Sequence, residues 1–379
     1  MPKCNLGLLL SAAHLVYRVV GENNDLREEP REGYVSTKQL TDDIAESGYE
    51  IAVKTNAQVK NSNGLTAVRL EPKDNESPII ISFRGTDSMR DVFANMNLML
   101  TGTVGKKLQE EAFSFYTKTK EKYPNREIIL VGHSLGGHLA QYVGARAYDE
   151  DSDLKKSRRL HVRTFNTAPV DSFHGRRLYS SSSASVFNQF CNYRLESDTV
   201  SRTSTQRYFI QPVRQYYGNT YSFRTDKNTL AAHPLRAMRE VLPDSVKNLE
   251  IGGTDKVQRD LNTLKEAVIG VKEAYAVHIK GQWFSKYRMG SHNKINIDKA
   301  LDKVTEALNE TPPNFKAAEE ELESAQNKVR GPTSQHCLQC LLDYVHDVQR
   351  QDELSKLSKL ASEDVQATEE QPSTSYLQM

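Results

Sequence analysis

The sequence is poor in the features that define several protein classes. Its 379 residues contain one Trp and four Cys, and 50 Lys plus Arg nearly balance 49 Asp plus Glu. The four cysteines are scattered and do not suggest a disulfide framework, which is consistent with a reducing compartment. Because neither the first 250 residues nor the rest carries the basic excess expected of a nucleic-acid binder, charge gives no indication of a nucleic-acid partner.

Long hydrophobic runs are also missing. No run reaches the roughly 18 apolar residues that span a bilayer, and the mean hydropathy of −0.63 indicates much solvated surface. Near the N-terminus, Lys3 followed by the apolar residues 6–13 resembles the core of a short signal peptide. The apolar pattern continues at helical spacing to Val20 without a convincing cleavage site, which favours a retained amphipathic helix.

The most informative stretch is a G-x-S-x-G motif centred on Ser134. A short apolar run, residues 128–131, precedes it, and small and apolar residues at 137–145 follow it. This order predicts a strand, a sharp turn and a helix, the context of a nucleophile elbow. Gly132 and Gly136 would remove the collisions that bulky side chains cause beneath such a turn. The alternative is a glycine-rich turn that happens to contain a serine, and the flanking strand and helix favour the nucleophile.

A second motif precedes the first. Residues 77–83 are typical of a buried strand, and they lead into Arg84, Gly85 and Thr86. With this R-G-T and the later G-H-S-L-G-G, the chain resembles the lipase class 3 family over roughly residues 40–245. The resemblance implies an α/β-hydrolase fold, a mostly parallel sheet with flanking helices. It also implies an oxyanion hole formed by Thr86 and the backbone N–H of Leu135, and it implies no metal or organic cofactor.

Other patterns fit the same fold. Periodicity predicts a hairpin of two strands at residues 49–53 and 65–70 and a crossover helix at residues 106–123. It also predicts two later strands, at residues 160–170 and 190–195. The resemblance also assigns Arg84 and Asp91 to bracing the oxyanion loop. The Met- and Leu-rich residues 92–100 fit either a lid or ordinary core.

A serine nucleophile needs a base, and the base needs an orienting carboxylate. In α/β-hydrolases these follow in the order Ser, Asp or Glu, His. Asp198 stands at the end of the predicted strand 190–195 and matches the family's strand-end D-x-V, with Asp171 in reserve. His233 opens a helix after Asp198 and is the preferred base, although Pro234 departs from the family's commonest form. His292 is the first reserve for the base, ahead of His278.

The last third of the chain has no motif that indicates chemistry. Apolar residues at helical spacing predict a helical region over residues 251–361, after a hydrolase domain over residues 1–250. Within it, His336, Cys337, Cys340 and His346 fit either a zinc site or one amphipathic helix with buried cysteines, and their position on a single helix favours the second.

The final stretch, residues 362–379, is polar and acidic and predicts a disordered tail. Its composition is similar to the C-terminal export signals of bacterial effectors delivered by type IV secretion, and a plain solvated tail is the alternative. The expected location is therefore the cytoplasm, or the outside of the cell by a route that is independent of a signal peptide.

The motifs together predict a serine hydrolase that cleaves carboxylic esters of lipids, as a lipase, phospholipase or lysophospholipase. Its expected partner is a lipid ester substrate, with a membrane surface as the candidate place of action. The competing hypothesis is a catalytically silent α/β-hydrolase scaffold whose helical region binds an unidentified protein. Turnover of a short-chain ester separates the two.

Overall fold

A computed structural model describes ten stretches of the chain: residues 4–20, 23–28, 35–56, 64–85, 103–170, 186, 188–202, 217–279, 282–286 and 289–369. The strands in these stretches are β1 (Val19–Val20), β2 (Asp25–Leu26), β3 (Tyr49–Asn56), β4 (Thr66–Pro72), β5 (Ile79–Phe83), β6 (Ile128–His133), β7 (Leu160–Phe165), β8 (Phe190–Leu195), β9 (Asn219–Phe223), β10 (Ala276–Ile279) and β11 (Gln282–Ser285).

The helices surround the main sheet. They are α1 (Leu6–Leu15), α2 (Thr37–Glu46), α3 (Thr103–Lys122), α4 (Leu135–Glu150), α5 (Ser152–Ser157), α6 (Thr199–Arg202), α7 (Thr229–Ala232), α8 (Leu235–Val241), α9 (Asp244–Lys247), α10 (Lys256–Glu273), α11 (Ser291–Asn309), α12 (Phe315–Lys328) and α13 (Pro332–Glu369). A short 3₁₀ helix covers Val16–Arg18.

A nine-stranded sheet organises the described residues, in the order β11-β10-β9-β8-β7-β6-β5-β4-β3. The five central strands, β5 to β9, are parallel to one another. The strands at both ends pair antiparallel. This mostly parallel sheet with helices on both faces is an α/β-hydrolase fold, and the predicted fold class is confirmed.

Helices on both faces explain why the central strands are apolar at nearly every position. In β6, Ile129 and Val131 face a core that includes α1 and α10, whereas Ile128 and Leu130 face a second core that includes α4. Strand residues alternate between the two faces, so a strand covered on both sides needs apolar residues at successive positions. The buried run that precedes Ser134 therefore marks the centre of the sheet.

The N-terminal helix differs from the sequence prediction in two ways. It ends at Leu15, the 3₁₀ turn and β1 follow, and the segment does not continue as one helix to Val20. It is also not amphipathic, because residues on nearly every side of α1 are buried among α2, α8, α9 and the sheet. A helix covered on all sides is apolar all round.

The main sheet continues past residue 250, where the sequence places the end of the hydrolase domain. Beyond that residue, β10 pairs with β9, and β11 extends the sheet by one more strand. The region 251–361 is therefore not purely helical. Four-residue strands give too little alternation to stand out in the sequence.

The last helix also runs further than expected. α13 continues to Glu369, eight residues into the stretch predicted as a disordered tail, and residues 370–379 lie outside the described residues. Residues 333–369 contain neither glycine nor proline, so no helix-breaking residue interrupts α13 over this span. Of the helices that the structure describes, none has the length and apolar composition to cross a bilayer.

Candidate active site

Ser134 occupies a sharp turn between the central strand β6 and the helix α4. Its backbone angles, φ 57° and ψ −124°, lie in a region that residues other than glycine rarely adopt. A Cβ added at Gly132 would lie 2.2 Å from the carbonyl carbon of Gly136, and one at Gly136 would lie 2.1 Å from the carbonyl oxygen of Phe83. The two glycines therefore allow the strained turn, as the motif predicts.

A chain of hydrogen bonds joins three predicted residues that are far apart in the sequence. The Oγ of Ser134 lies 3.0 Å from Nε2 of His233, and Nδ1 of His233 lies 2.9 Å from Oδ1 of Asp198. All three side chains are buried. Since a carboxylate only accepts, Nδ1 of the imidazole carries a proton, and Nε2 is left to accept from the serine hydroxyl.

Each member of this chain stands where a secondary-structure element begins or ends. Asp198 follows β8 and immediately precedes α6, and His233 lies between α7 and α8. The backbone N–H of Val200 donates to Oδ1 of Asp198 at 3.2 Å, and that of Ser201 donates to Oδ2 at 3.0 Å. With these bonds and the imidazole, both carboxylate oxygens are satisfied as acceptors.

Of the two residues predicted to form the oxyanion hole, the structure describes Leu135. Thr86 lies outside the described residues, as do Asp91, residues 92–100 and the reserve acid Asp171. Leu135 is the first residue of α4, so its N–H belongs to the first turn, whose amides have no partner within the helix. Such amides and the helix dipole favour negative charge beside Ser134.

The part of the chain around these motifs matches a known family. Residues 52–165 match the family model described as Mbeg1-like. The matched span contains both the R-G-T and the G-H-S-L-G-G motifs. This segment is similar to the lipase class 3 family. The resemblance that the motifs carry is therefore confirmed.

The solved structures that are similar to this chain include fungal lipases. A lipase–propeptide complex from Rhizomucor miehei is 15% identical with a TM-score of 0.41, and the match covers 66% of this chain and 80% of that one. Lipase II from Rhizopus niveus is 15% identical with a TM-score of 0.41, over 60% and 80% of the two chains. No curated protein matches the sequence. The fold assignment therefore rests on the strand order and on the elbow.

A buried network that the sequence did not reveal lies beside the three residues of this hydrogen-bonded chain. His133, the residue before the nucleophile, lies 2.8 Å through Nε2 from the backbone carbonyl of His233 and 3.0 Å through Nδ1 from the hydroxyl of Tyr17. That hydroxyl accepts the backbone N–H of Gly85 at 3.1 Å. The network links the N-terminal segment, the R-G-T loop and the loop that carries His233.

The charge and proton positions of this network follow from its partners. Burial, and then the nearby imidazole of His233, hold the pKa of His133 well below its usual value, so the ring is neutral. A carbonyl only accepts, so Nε2 carries the proton and Nδ1 accepts from Tyr17. Burial also raises the pKa of Tyr17, which keeps its hydroxyl protonated.

We expect Tyr17→Phe to lower kcat for ester hydrolysis about tenfold, a barrier change of about 1.4 kcal/mol, with KM nearly unchanged. The change removes the acceptor for Gly85 N–H and the donor to His133. Steady-state kinetics measure it. Tyr148→Phe is the matched control, because this buried hydroxyl donates to the carbonyl of Leu160, outside the network of Tyr17 and His133. Equal kinetics for both variants would contradict the role of Tyr17.

The reserve histidines lie elsewhere. His292 is exposed on α11 and contacts Asn296, and His278 lies on β10. Cys337 and Cys340 lie on α13 and are buried in the core, and burial raises the pKa of the Cys337 thiol to about 12. His336 contacts Cys340, while His346 pairs with Glu319. Within the described stretches, no three His, Cys, Asp or Glu residues form a group that could hold a metal.

Proposed function

We propose that the protein is a serine hydrolase that cleaves carboxylic esters of lipids. The observation that carries the proposal is the hydrogen-bonded chain from Ser134 through His233 to Asp198 at a nucleophile elbow. Distances of 3.0 and 2.9 Å are the reach that proton transfer between a nucleophile and a base requires.

The geometry supports a two-step reaction. Ser134 Oγ attacks the acyl carbonyl carbon while its proton passes to Nε2 of His233, and Asp198 stabilises the imidazolium that forms. When the tetrahedral intermediate collapses, His233 returns this proton to the departing alcohol oxygen. A water molecule then gives a proton to His233 and attacks the acyl carbonyl carbon. When this second tetrahedral intermediate collapses, His233 returns the proton to Ser134 Oγ, which releases the carboxylic acid and restores the serine hydroxyl.

Negative charge on the carbonyl oxygen needs donors fixed in advance. The backbone N–H of Leu135, at the start of α4, is one proposed donor, and Thr86 is assigned as the other by its match to the R-G-T motif. Each such donor lowers the barrier by roughly 3–4 kcal/mol. The Tyr17 hydroxyl, bonded to Gly85, would fix the base of the loop that carries Thr86.

The lipid character of the substrate rests on the lipase class 3-like segment. A membrane or lipid surface is the proposed place of action. Triacylglycerols, phospholipids and lysophospholipids share an acyl ester, and cleavage of this bond is the proposed reaction.

The proposal is tested by the turnover of nitrophenyl esters of increasing acyl length. The esters are supplied alone or mixed into phosphatidylcholine vesicles. We expect hydrolysis by the wild type and a loss of at least about 10³-fold in Ser134→Ala. Ser82→Ala is the matched control, since Ser82 is buried on the neighbouring strand β5 and outside the hydrogen-bonded chain. Absence of turnover in the wild type across the series would favour the silent scaffold.

A further inference from the structure

Asn166 is the residue that follows β7, and it has an uncommon backbone. Its φ is +41°, in the left-handed region where asparagine is among the few tolerated residues other than glycine. The side chain is fully buried. Glycine would adopt this φ at no cost, so the backbone alone does not require an amide at this position.

The side-chain amide of Asn166 connects the two loops that carry the acid and the base. Its Oδ1 accepts the backbone N–H of Leu195 at 2.8 Å, at the end of the strand that leads to Asp198. Its Nδ2 donates to the carbonyls of Ala232 at 2.8 Å and of His233 at 3.0 Å. Both donor bonds and the acceptor bond of the amide therefore join these two loops.

These partners fix the orientation of the amide. An exchange of Oδ1 and Nδ2 would place an N–H against the N–H of Leu195 and an oxygen against two carbonyl oxygens. The carbonyl of His233 also faces Nε2 of His133, so two side-chain donors converge on one backbone oxygen. The peptide that carries the imidazole is thus held from two sides.

We propose that Asn166 is a positioning residue that sets the imidazole of His233 relative to Asp198 and Ser134. The expected effect of Asn166 on turnover rests on the proposed function. The hydrogen bond between His233 and Asp198 is an independent readout, because it exists with or without substrate. A displacement of about 1 Å in such a constellation lowers the rate by roughly 10²-fold.

Asn166→Gly tests the proposal, since glycine keeps the backbone angle and removes only the amide. We expect kcat to fall about 10- to 100-fold with KM within about twofold of wild type. We also expect the low-field proton resonance of the His233–Asp198 hydrogen bond to broaden or disappear.

Asn192→Ala is the matched control. Asn192 is equally buried and makes three side-chain hydrogen bonds, to Thr164, Tyr217 and Asn219, away from the acid and the base. Measured per folded molecule, this variant is expected to keep both kcat and the resonance. If Asn166→Gly keeps the resonance, and its kcat stays within threefold of that of Asn192→Ala, the proposal is overturned.

Asn166→Asp distinguishes a role in positioning His233 from a role in filling space. It also replaces Asn166→Gly as the test if the glycine variant does not fold. It keeps the size and the acceptor for Leu195 but turns an oxygen toward the carbonyls of Ala232 and His233. We expect a loss of kcat at least as large as with glycine, and near-wild-type kcat would contradict the proposal. A wild type that shows the resonance but no turnover would refute the proposed function alone, and the resonance in the variants would still decide the role of Asn166.

Discussion

Replacing Asp198 with asparagine is expected to lower kcat by about 10⁴-fold while the fold is retained. If the amide N–H₂ group faces Nδ1 of His233, the imidazole must carry its proton on Nε2 and is unable to accept from Ser134. In the other orientation the side-chain amide nitrogen faces the backbone N–H of Ser201. In the wild type this N–H donates to the Asp198 carboxylate. The negative charge that stabilises the imidazolium is lost in both cases.

Steady-state kinetics and circular dichroism measure this effect together. Asp260→Asn is the control, because Asp260 is also fully buried but pairs with Arg158, outside the hydrogen-bonded chain of Ser134, His233 and Asp198. It is expected to lower stability and to keep kcat per folded molecule. A similar kcat for Asp198→Asn and wild type would remove Asp198 from the proposed mechanism.

Replacing Glu266 with alanine is expected to lower the free energy of unfolding by about 3–5 kcal/mol. Glu266 lies on α10 and pairs through Oε2 with Nη2 of Arg163 on β7 at 2.5 Å, and the hydroxyl of Tyr193 contacts its Oε1. Arg163 and Glu266 are both fully buried. Removal of one partner leaves a charge in the core with no counterion, which is the costly way to break such a pair.

Guanidinium chloride denaturation measures the change. Glu320→Ala removes one partner of an exposed pair with Lys316 and is expected to change stability by no more than about 1 kcal/mol. The double change of Arg163→Met and Glu266→Leu is expected to recover most of the loss, because it removes both charges and keeps the volume. A loss below about 1 kcal/mol in Glu266→Ala would show that the pair does not secure α10 to the sheet.

The sequence predicts the elbow well because all its determinants are local. An apolar strand, two glycines at fixed distance from Ser134 and a helix of small residues lie within one short stretch. Asp198 and His233 are harder to predict, because the order of triad residues in α/β-hydrolases and their positions beside a predicted strand and helix select them only among several candidates. The structure brings both to Ser134.

The supporting residues have no such local signal. Tyr17 and His133 are separated by 116 positions, and the amide of Asn166 reaches carbonyls 66 and 67 positions away. Contacts of this kind depend on the tertiary fold. The short strands β10 and β11 are missed for a different reason. β10 pairs with β9, and β11 with β10, and this pairing stabilises segments whose own sequence pattern is too brief to identify as strands.

Covalent labelling of Ser134 tests the central proposal most directly. The protein is incubated with a fluorophosphonate probe and digested, and the modified peptide is identified by mass spectrometry. We expect one adduct, on Ser134, in the wild type and in Ser82→Ala, and none in Ser134→Ala. Equal labelling of Ser134→Ala, or an unlabelled wild type, would contradict a nucleophile activated by His233 and Asp198.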